Sequence, residues 1–327
     1  EYERAIKYAT EAIRLDPKNF LAFDLRGNAK YSLNDFDGAI DDFTETIARH
    51  PKEAHHYFNR ALAKHHKGEP AKAVYDYTAA LERDNKLEAA IRGRGLAWLD
   101  LHNYERAVSD FTEAIQLDAK SIVAMRGRGA AWFFQGEYDK AIADMNEVIR
   151  LDPKNPNAYG CRSDCWLMKG VLSDALQDAD VAVQFDPKTP YWVSSRGYIY
   201  MSGGRYNKAL ADFDAAIQLD PKFGGAYASR AMIRAACPDA TLRDPKKAMN
   251  DAKKACELFK WRNLPAVESY AAACAANGDF DNAIRFQEKV VSDQAYLKLP
   301  FGADARKRLE LYKAKKPYRF EPRGKIE

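Results

Sequence analysis

Apolar and small residues recur along this chain at helical spacing. Ile91–Gly95–Trp98, Met125–Gly129–Trp132, Tyr159–Ser163–Trp166 and Val193–Gly197–Tyr200 each fall at i, i+4, i+7, one stripe of an α-helix. A large residue, a tiny one and an aromatic make a notch into which a second helix fits. A column of small residues, Ala39, Ala73, Ala107, Ala141, Ala175 and Ala209, supplies the answering surface. Between stripe and column the chain breaks at Leu33-Asn34-Asp35, Phe134-Gln135-Gly136 and Ser202-Gly203-Gly204. It breaks again at Asp152-Pro153-Lys154-Asn155 and Asp220-Pro221-Lys222. Proline stops a helix and glycine or asparagine permits a turn, so each unit predicts two helices of about 12–15 residues. Strand-type alternation is absent.

The units keep a fixed step. Arg26, Arg60, Arg94, Arg128, Arg162, Arg196 and Arg230 stand 34 residues apart. Asp42, Asp76, Asp110, Asp144, Asp178 and Asp212 form a second ladder with the same step, and the next member is Asp251 instead of position 246. That offset predicts an insertion of about five residues at Cys237–Thr241 within a repeat array. The implied organisation is one solenoid over 1–294. It holds a half-repeat at 1–19 and repeats at about 20–53, 54–87, 88–121, 122–155, 156–189, 190–223, 224–263 and 264–294. A capping helix region, 295–316, and a basic tail, 317–327, follow. Small residues flank each arginine, as in Ala90–Arg94–Ala97, which implies a closely pressed helix and a partly desolvated guanidinium needing a partner. The aspartate ladder is the predicted partner, as a structural bond within or between units.

Composition narrows the classes. Of 327 residues, 46% are hydrophobic and 30% charged, enough to bury a core. No run of 18 apolar residues suggests a membrane helix. From Ala305 to Glu327, nine basic residues including Arg323 and Lys325 face three acidic ones, so this stretch carries +6 of a net +4 and leaves the rest at −2. A nearly neutral body argues against nucleic acid as the partner, and the basic stretch is expected to be solvated. Five cysteines without a pairing pattern favour a reducing, cytoplasmic setting. The sequence starts at Glu1 within a repeat and reads as a fragment. Helix Tyr2–Leu15 then lacks a mate, with Ile6, Ala9 and Ile13 half covered, an expected route to self-association.

The residues Gly95, Trp98, Tyr104, Ala107, Phe111, Ala114 and Asp118, and equally Gly129, Trp132, Gly136, Tyr138, Ala141, Asp152 and Pro153, resemble the tetratricopeptide-repeat signature. The Arg-Gly in first helices and Ala209-Leu210-Ala211-Asp212-Phe213 in a second helix resemble a bacterial subtype. Leu309–Ala314 resembles its capping helix. The resemblance implies an all-α fold, a right-handed α-solenoid of stacked antiparallel helix pairs, with a concave groove that binds peptides or partner proteins. Lys30, Lys64 and Arg234 replace the expected aromatic, and Leu172 the expected tyrosine.

With two stripes of each first helix spent on packing, the remaining arc is free for a ligand. It offers Asn28, Phe58, Asn59, Leu62, His65, Arg92, Leu96, Leu99, Arg126, Phe133, Phe134, Met168, Tyr191, Tyr198 and Met201. Aromatic and flexible apolar surface of this kind marks a partner site. Chaperone-binding members of the family grip a C-terminal carboxylate with asparagines and cations. Asn28 and Asn59 match the asparagine columns, but Asp24, Ala89 and Gly93 stand where the cations belong, so no such clamp is expected.

Chemistry is sparse. His55-His56 and His65-His66 lie ten residues apart, about 15 Å along a helix. Adjacent imidazoles are expected to diverge, so no metal or other cofactor is predicted. No phosphate loop, nucleophile elbow or HExxH occurs. The reading is a non-catalytic scaffold binding another protein or peptide. The alternatives are a substrate-recruiting region of a larger enzyme or signalling protein, or an RNA-binding helical repeat.

Overall fold

A computed structural model describes residues 1–298, 302 and 304–321. Arg323 and Lys325 of the basic tail lie outside the described residues. Among the described residues every regular element is a helix. The chain forms two compact units, Glu1–Pro153 and a second from Lys154.

The first unit holds α1 (Tyr2–Leu15), α2 (Phe20–Ser32), α3 (Phe36–Arg49), α4 (Ala54–His66), α5 (Pro70–Leu81), α6 (Glu88–Asp100), α7 (Tyr104–Leu117), α8 (Ile122–Gln135) and α9 (Tyr138–Leu151). Even-numbered members are the first helices of each pair. Side chains cap several starts: Asn19, Asp35 and Asn103 accept from the backbone N–H three residues on. Each pair turns through one left-handed residue, and these residues keep the repeat step: Asn34 (φ 62°), Gly68 (φ 86°), His102 (φ 57°) and Gly136 (φ 81°). The next N–H then bonds the carbonyl five back, as in Asn103 to Trp98 at 2.9 Å. Glycine takes this conformation freely; Asn34 and His102 adopt it at a cost.

Stacking depends on one large side chain per second helix, Phe43, Tyr77 and Phe111 in three of them and Met145 in α9. Phe111 is fully buried. A Cβ on Gly95 of its own pair would lie 3.0 Å from its ring, and one on Gly127 of the next pair 2.4 Å away. Tyr77 presses on Gly93 in the same way. The glycines therefore let two successive first helices close on one ring, and burying such a side chain contributes about 1.5–3 kcal/mol. Helix α1 packs on α2 and Ala9 is buried, which corrects its expected half-cover, whereas Ile6 and Ile13 are half-buried.

The second unit holds α10 (Pro156–Met168), α11 (Leu172–Phe185), α12 (Pro190–Ser202), α13 (Tyr206–Leu219), α14 (Gly224–Ala236), α15 (Pro245–Leu258), α16 (Leu264–Ala276), α17 (Phe280–Val291), α18 (Gln294–Leu297) and α19 (Ala305–Lys313). A 3-10 turn, Ala240–Leu242, occupies the link between α14 and α15. Arg243 donates to the Cys237 carbonyl at 2.8 Å and ties this link down.

Each ladder arginine forks onto its aspartate. Nε and Nη2 of Arg94 donate to the two Asp110 oxygens at 2.9 and 2.8 Å. Arg26–Asp42, Arg60–Asp76, Arg128–Asp144, Arg162–Asp178, Arg196–Asp212 and Arg230–Asp251 repeat this geometry. The fork stays within a pair. In the first unit Nη1 turns to the preceding pair, from Arg26, Arg60, Arg94 and Arg128 to Thr10, Thr44, Thr78 and Thr112. In the second, Arg196 and Arg230 reach Asp180 and Asp214. One guanidinium thus joins three helices.

The departures from the aromatic column also have a physical reason. Lys30 and Lys64 place Nζ 2.8 and 2.7 Å from Asp42 and Asp76, and Arg234 contacts Asp251. Each adds a second cation to a buried carboxylate. Where the aromatic is kept, a cation covers it: Arg106 on Trp98, Lys140 on Trp132 and Lys208 on Tyr200 from the second helix, and Lys169, at the end of α10, on Trp166.

The C-terminal stretch departs from the expected solvated tail at Arg308 and Tyr318, while Arg306, Lys307, Lys313, Lys315, Lys316 and Arg319 are exposed as expected. Arg308 is buried, 4% exposed, and its Nε and Nη2 reach one oxygen of buried Glu268 at 3.0 and 2.6 Å. Arg319 donates to the Ala235 carbonyl at 3.2 Å, and the Phe320 N–H to that of Ala236 at 3.2 Å. Tyr318 is buried as well. Apolar neighbours and an available carboxylate, absent from a count of charges, hold this segment against α14 and α16.

Candidate functional site

Among the described residues, the free arc of the first helices lines a hollow in each unit. In the first unit a cavity of about 570 Å³ is lined by Phe58, Leu62, His65 and His66 of α4, Ala89, Arg92, Gly93, Leu96 and Asp100 of α6, and Tyr77 of α5. Gly93 keeps the α6 backbone close to Tyr77, which lets this ring form the floor. The Tyr77 hydroxyl is buried without a hydrogen-bond partner, and burial raises its pKa, so it stays a neutral donor. At the rim His65 Nε2 lies 2.7 Å from Asp100 Oδ2, and Arg92 Nε donates to Glu88 at 3.0 Å. An apolar slot with a few polar groups at its edge suits an apolar side chain flanked by backbone amides.

Phe58, Leu62, His65, Arg92 and Leu96 therefore come together. Asn28, Asn59, Leu99, Arg126, Phe133 and Phe134 do not line this cavity. Asn28 Nδ2 donates to Asp24 at 3.1 Å. Phe134, 60% exposed, stacks on Tyr104 at 5.2 Å, while Phe133 sets its edge against Tyr138. The Arg126 Nε is buried and makes no hydrogen bond. Leu99 is half-buried against the Phe111 cluster.

In the second unit a cavity of about 480 Å³ gathers Met168, Tyr198 and Met201 with Leu167, Ala228, Ser229 and Met232. Glu268, Tyr296, Arg308, Tyr318 and Phe320 close its far side. Burial first, then the charge of Glu268, raises the Tyr296 phenol pKa, which keeps its proton donated to Glu268 at 2.9 Å. Tyr191 lies elsewhere: its hydroxyl donates to Asp164 at 2.7 Å and Ser195 adds a second bond at 2.8 Å. Burial outweighs both bonds and raises the Asp164 pKa. The residues missed here were partly within reach. One more step of 34 from Ser194, Ser195 and Tyr198 lands on Ala228, Ser229 and Met232. Glu268 and Arg308, forty residues apart, carry no periodic signal.

The histidines also differ from expectation. The His55 and His56 rings lie 3.8 Å apart instead of diverging, with Asp24 beside them. The carboxylate comes from a different helix, so helical spacing alone misses it.

The seven forks, the shared left-handed turn and the ring-on-glycine stacking define a helical-repeat scaffold. One tetratricopeptide-repeat profile matches residues 25–88, 92–156 and 133–190, and a second matches 194–223. The chain belongs to the tetratricopeptide-repeat family, a family of protein-interaction scaffolds. A tetratricopeptide repeat protein from Parabacteroides merdae is similar at TM-score 0.55 and 24% identity, covering 67% of this chain and 93% of that one. A chain of the APC/C hetero-tetramer Cut9–Hcn1 is similar at TM-score 0.63 and 13% identity, covering 83% of this chain and 52% of its own length. Identities this low show a shared fold alone. No curated protein matches the sequence. Among the described residues no helix is long and apolar enough to cross a membrane.

Proposed function

We propose that the chain binds a segment of another protein along the first-helix face and catalyses no reaction of its own. The observation that carries this reading is the first-unit hollow, where Phe58, Leu62 and Leu96 surround an apolar slot rimmed by Arg92, His65 and Asp100. The exposed Leu25, 54% accessible on α2, and Phe134 on α8 extend apolar surface along the same unit. Isolated exposed apolar residues are ordinary, but a hollow with apolar walls and a polar rim is what an anchoring side chain needs.

The test is a peptide selected from a displayed library against the whole chain, with affinity read by fluorescence polarisation. Leu62→Asp with Leu96→Asp is expected to weaken binding at least about tenfold, the loss of one buried anchor. Tyr75→Ser, on the exposed second-helix face where Tyr75 is 74% accessible, is expected to leave it unchanged. The opposite pattern would place the site on the other face. Preferential capture of single-stranded RNA, with affinity falling steeply in salt, would replace the reading altogether.

A further inference from the structure

The geometry points to a binding site for a divalent first-row transition-metal ion at Asp24, His55 and His56. Asp24 stands on α2 and the two histidines in the first turn of α4, and one ligand atom from each lies within 4.8 Å of the others. His56 is only 1% exposed, yet neither of its ring nitrogens makes a hydrogen bond. Asp24 Oδ1, which faces it, makes none either. A buried imidazole and a buried carboxylate oxygen without hydrogen bonds are costly unless something else satisfies them.

The separation between the two suggests what does. His56 Nδ1 lies 3.4 Å from Asp24 Oδ1. Two ligands on one tetrahedral ion, with bonds of about 2.0–2.1 Å, stand about 3.3–3.4 Å apart. The second histidine pair makes the contrast. His65 Nε2 meets Asp100 at 2.7 Å, an ordinary hydrogen bond that leaves no room for an ion between them. The other Asp24 oxygen accepts from Asn28 at 3.1 Å, which holds the carboxylate with Oδ1 turned to His56.

His55 is exposed beside His56, so the open side of the ion faces solvent. Two imidazoles and one carboxylate suit zinc, nickel, copper or cobalt better than calcium or magnesium. The positive end of α4 opposes a cation, and Asp24 with Glu53, at the α4 N-cap, supplies the compensating charge. A water, or a carboxylate or imidazole of a bound partner, completes the coordination.

The test uses the whole untagged chain, freed of metal by chelation and titrated with Zn²⁺ by calorimetry, with Co²⁺ absorption reporting the coordination geometry. One saturable Zn²⁺ per chain and a tetrahedral-type Co²⁺ spectrum are expected. His55→Ala, at an exposed position that leaves folding intact, is expected to weaken Zn²⁺ at least tenfold. Asn28→Ala, which acts through Asp24, is expected to weaken it by about tenfold. His102→Asn, at an exposed histidine outside both this cluster and the hollow, is expected to leave the Zn²⁺ affinity unchanged. An absence of saturable binding, or binding unaffected by both His55→Ala and Asp24→Asn, would show that Asp24, His55 and His56 hold no metal ion. Peptide affinity is measured separately, so either reading can fail alone.

Discussion

The repeats from Arg26 to Asp251 and the α16–α19 end solve one problem in two ways. In the repeats a guanidinium on the first helix forks onto an aspartate of the second. At the corresponding position of α16 stands Tyr270, and sixteen residues on, where the aspartate would be, stands Phe286. Their rings meet edge to face at 5.0 Å, with Trp261 stacked on Phe286 at 5.3 Å. The ionic rung has become an aromatic one. The cation that the end does use, Arg308 from α19, answers Glu268 on a different stripe of α16. A rung inside a stack has a helix on each side to share its charge; the terminal pair instead buries its charge under α19. The comparison teaches that the fold needs a specific cross-link between helices, and that charge is one way of making it.

The largest expected effect is at the end. Arg308→Met strips the cation from a buried carboxylate and is expected to cost about 3–5 kcal/mol. Urea unfolding followed by Trp261 fluorescence measures it, and an unchanged midpoint would mean that Tyr296 and Gln287 suffice to hold Glu268. Arg94→Met does the same to Asp110, but this arginine is 20% exposed, so the expected loss is at the lower end, about 3 kcal/mol. Trp98 fluorescence follows that one. Should Arg128→Met leave stability unchanged while abolishing peptide binding, the ladder would be a ligand site and not a brace.

A smaller loss tests the stacking. Gly127→Ala puts a methyl 2.4 Å from the Phe111 ring, and overpacking of this kind costs about 1–3 kcal/mol in a thermal melt. The smallest effect separates the two directions of the arginine fork. Thr78→Val removes the acceptor of Arg94 Nη1 in the preceding pair, a bond at 3.4 Å, and is expected to cost about 0.5–1 kcal/mol. A loss as large as that of Arg94→Met would shift the weight of the rung from within the pair to between pairs.

By itself the sequence determined the helix pairs, because proline, glycine and asparagine act on the local backbone and the stripes repeat on one helix. The family was legible for the same reason: every repeat states the same local rule. Only tertiary structure decided where each arginine points, since one guanidinium reaches both its own pair and the one before. It alone brought Asp24 to His56 and Arg308 to Glu268, pairs on separate helices with no shared period. It also decided which arc residues share a hollow. Phe58 and Leu96 meet because Gly93 lets α6 approach Tyr77, whereas Phe134, equally apolar, stacks on Tyr104 instead. Periodicity specifies the face of a helix, and packing against a neighbour specifies what that face touches.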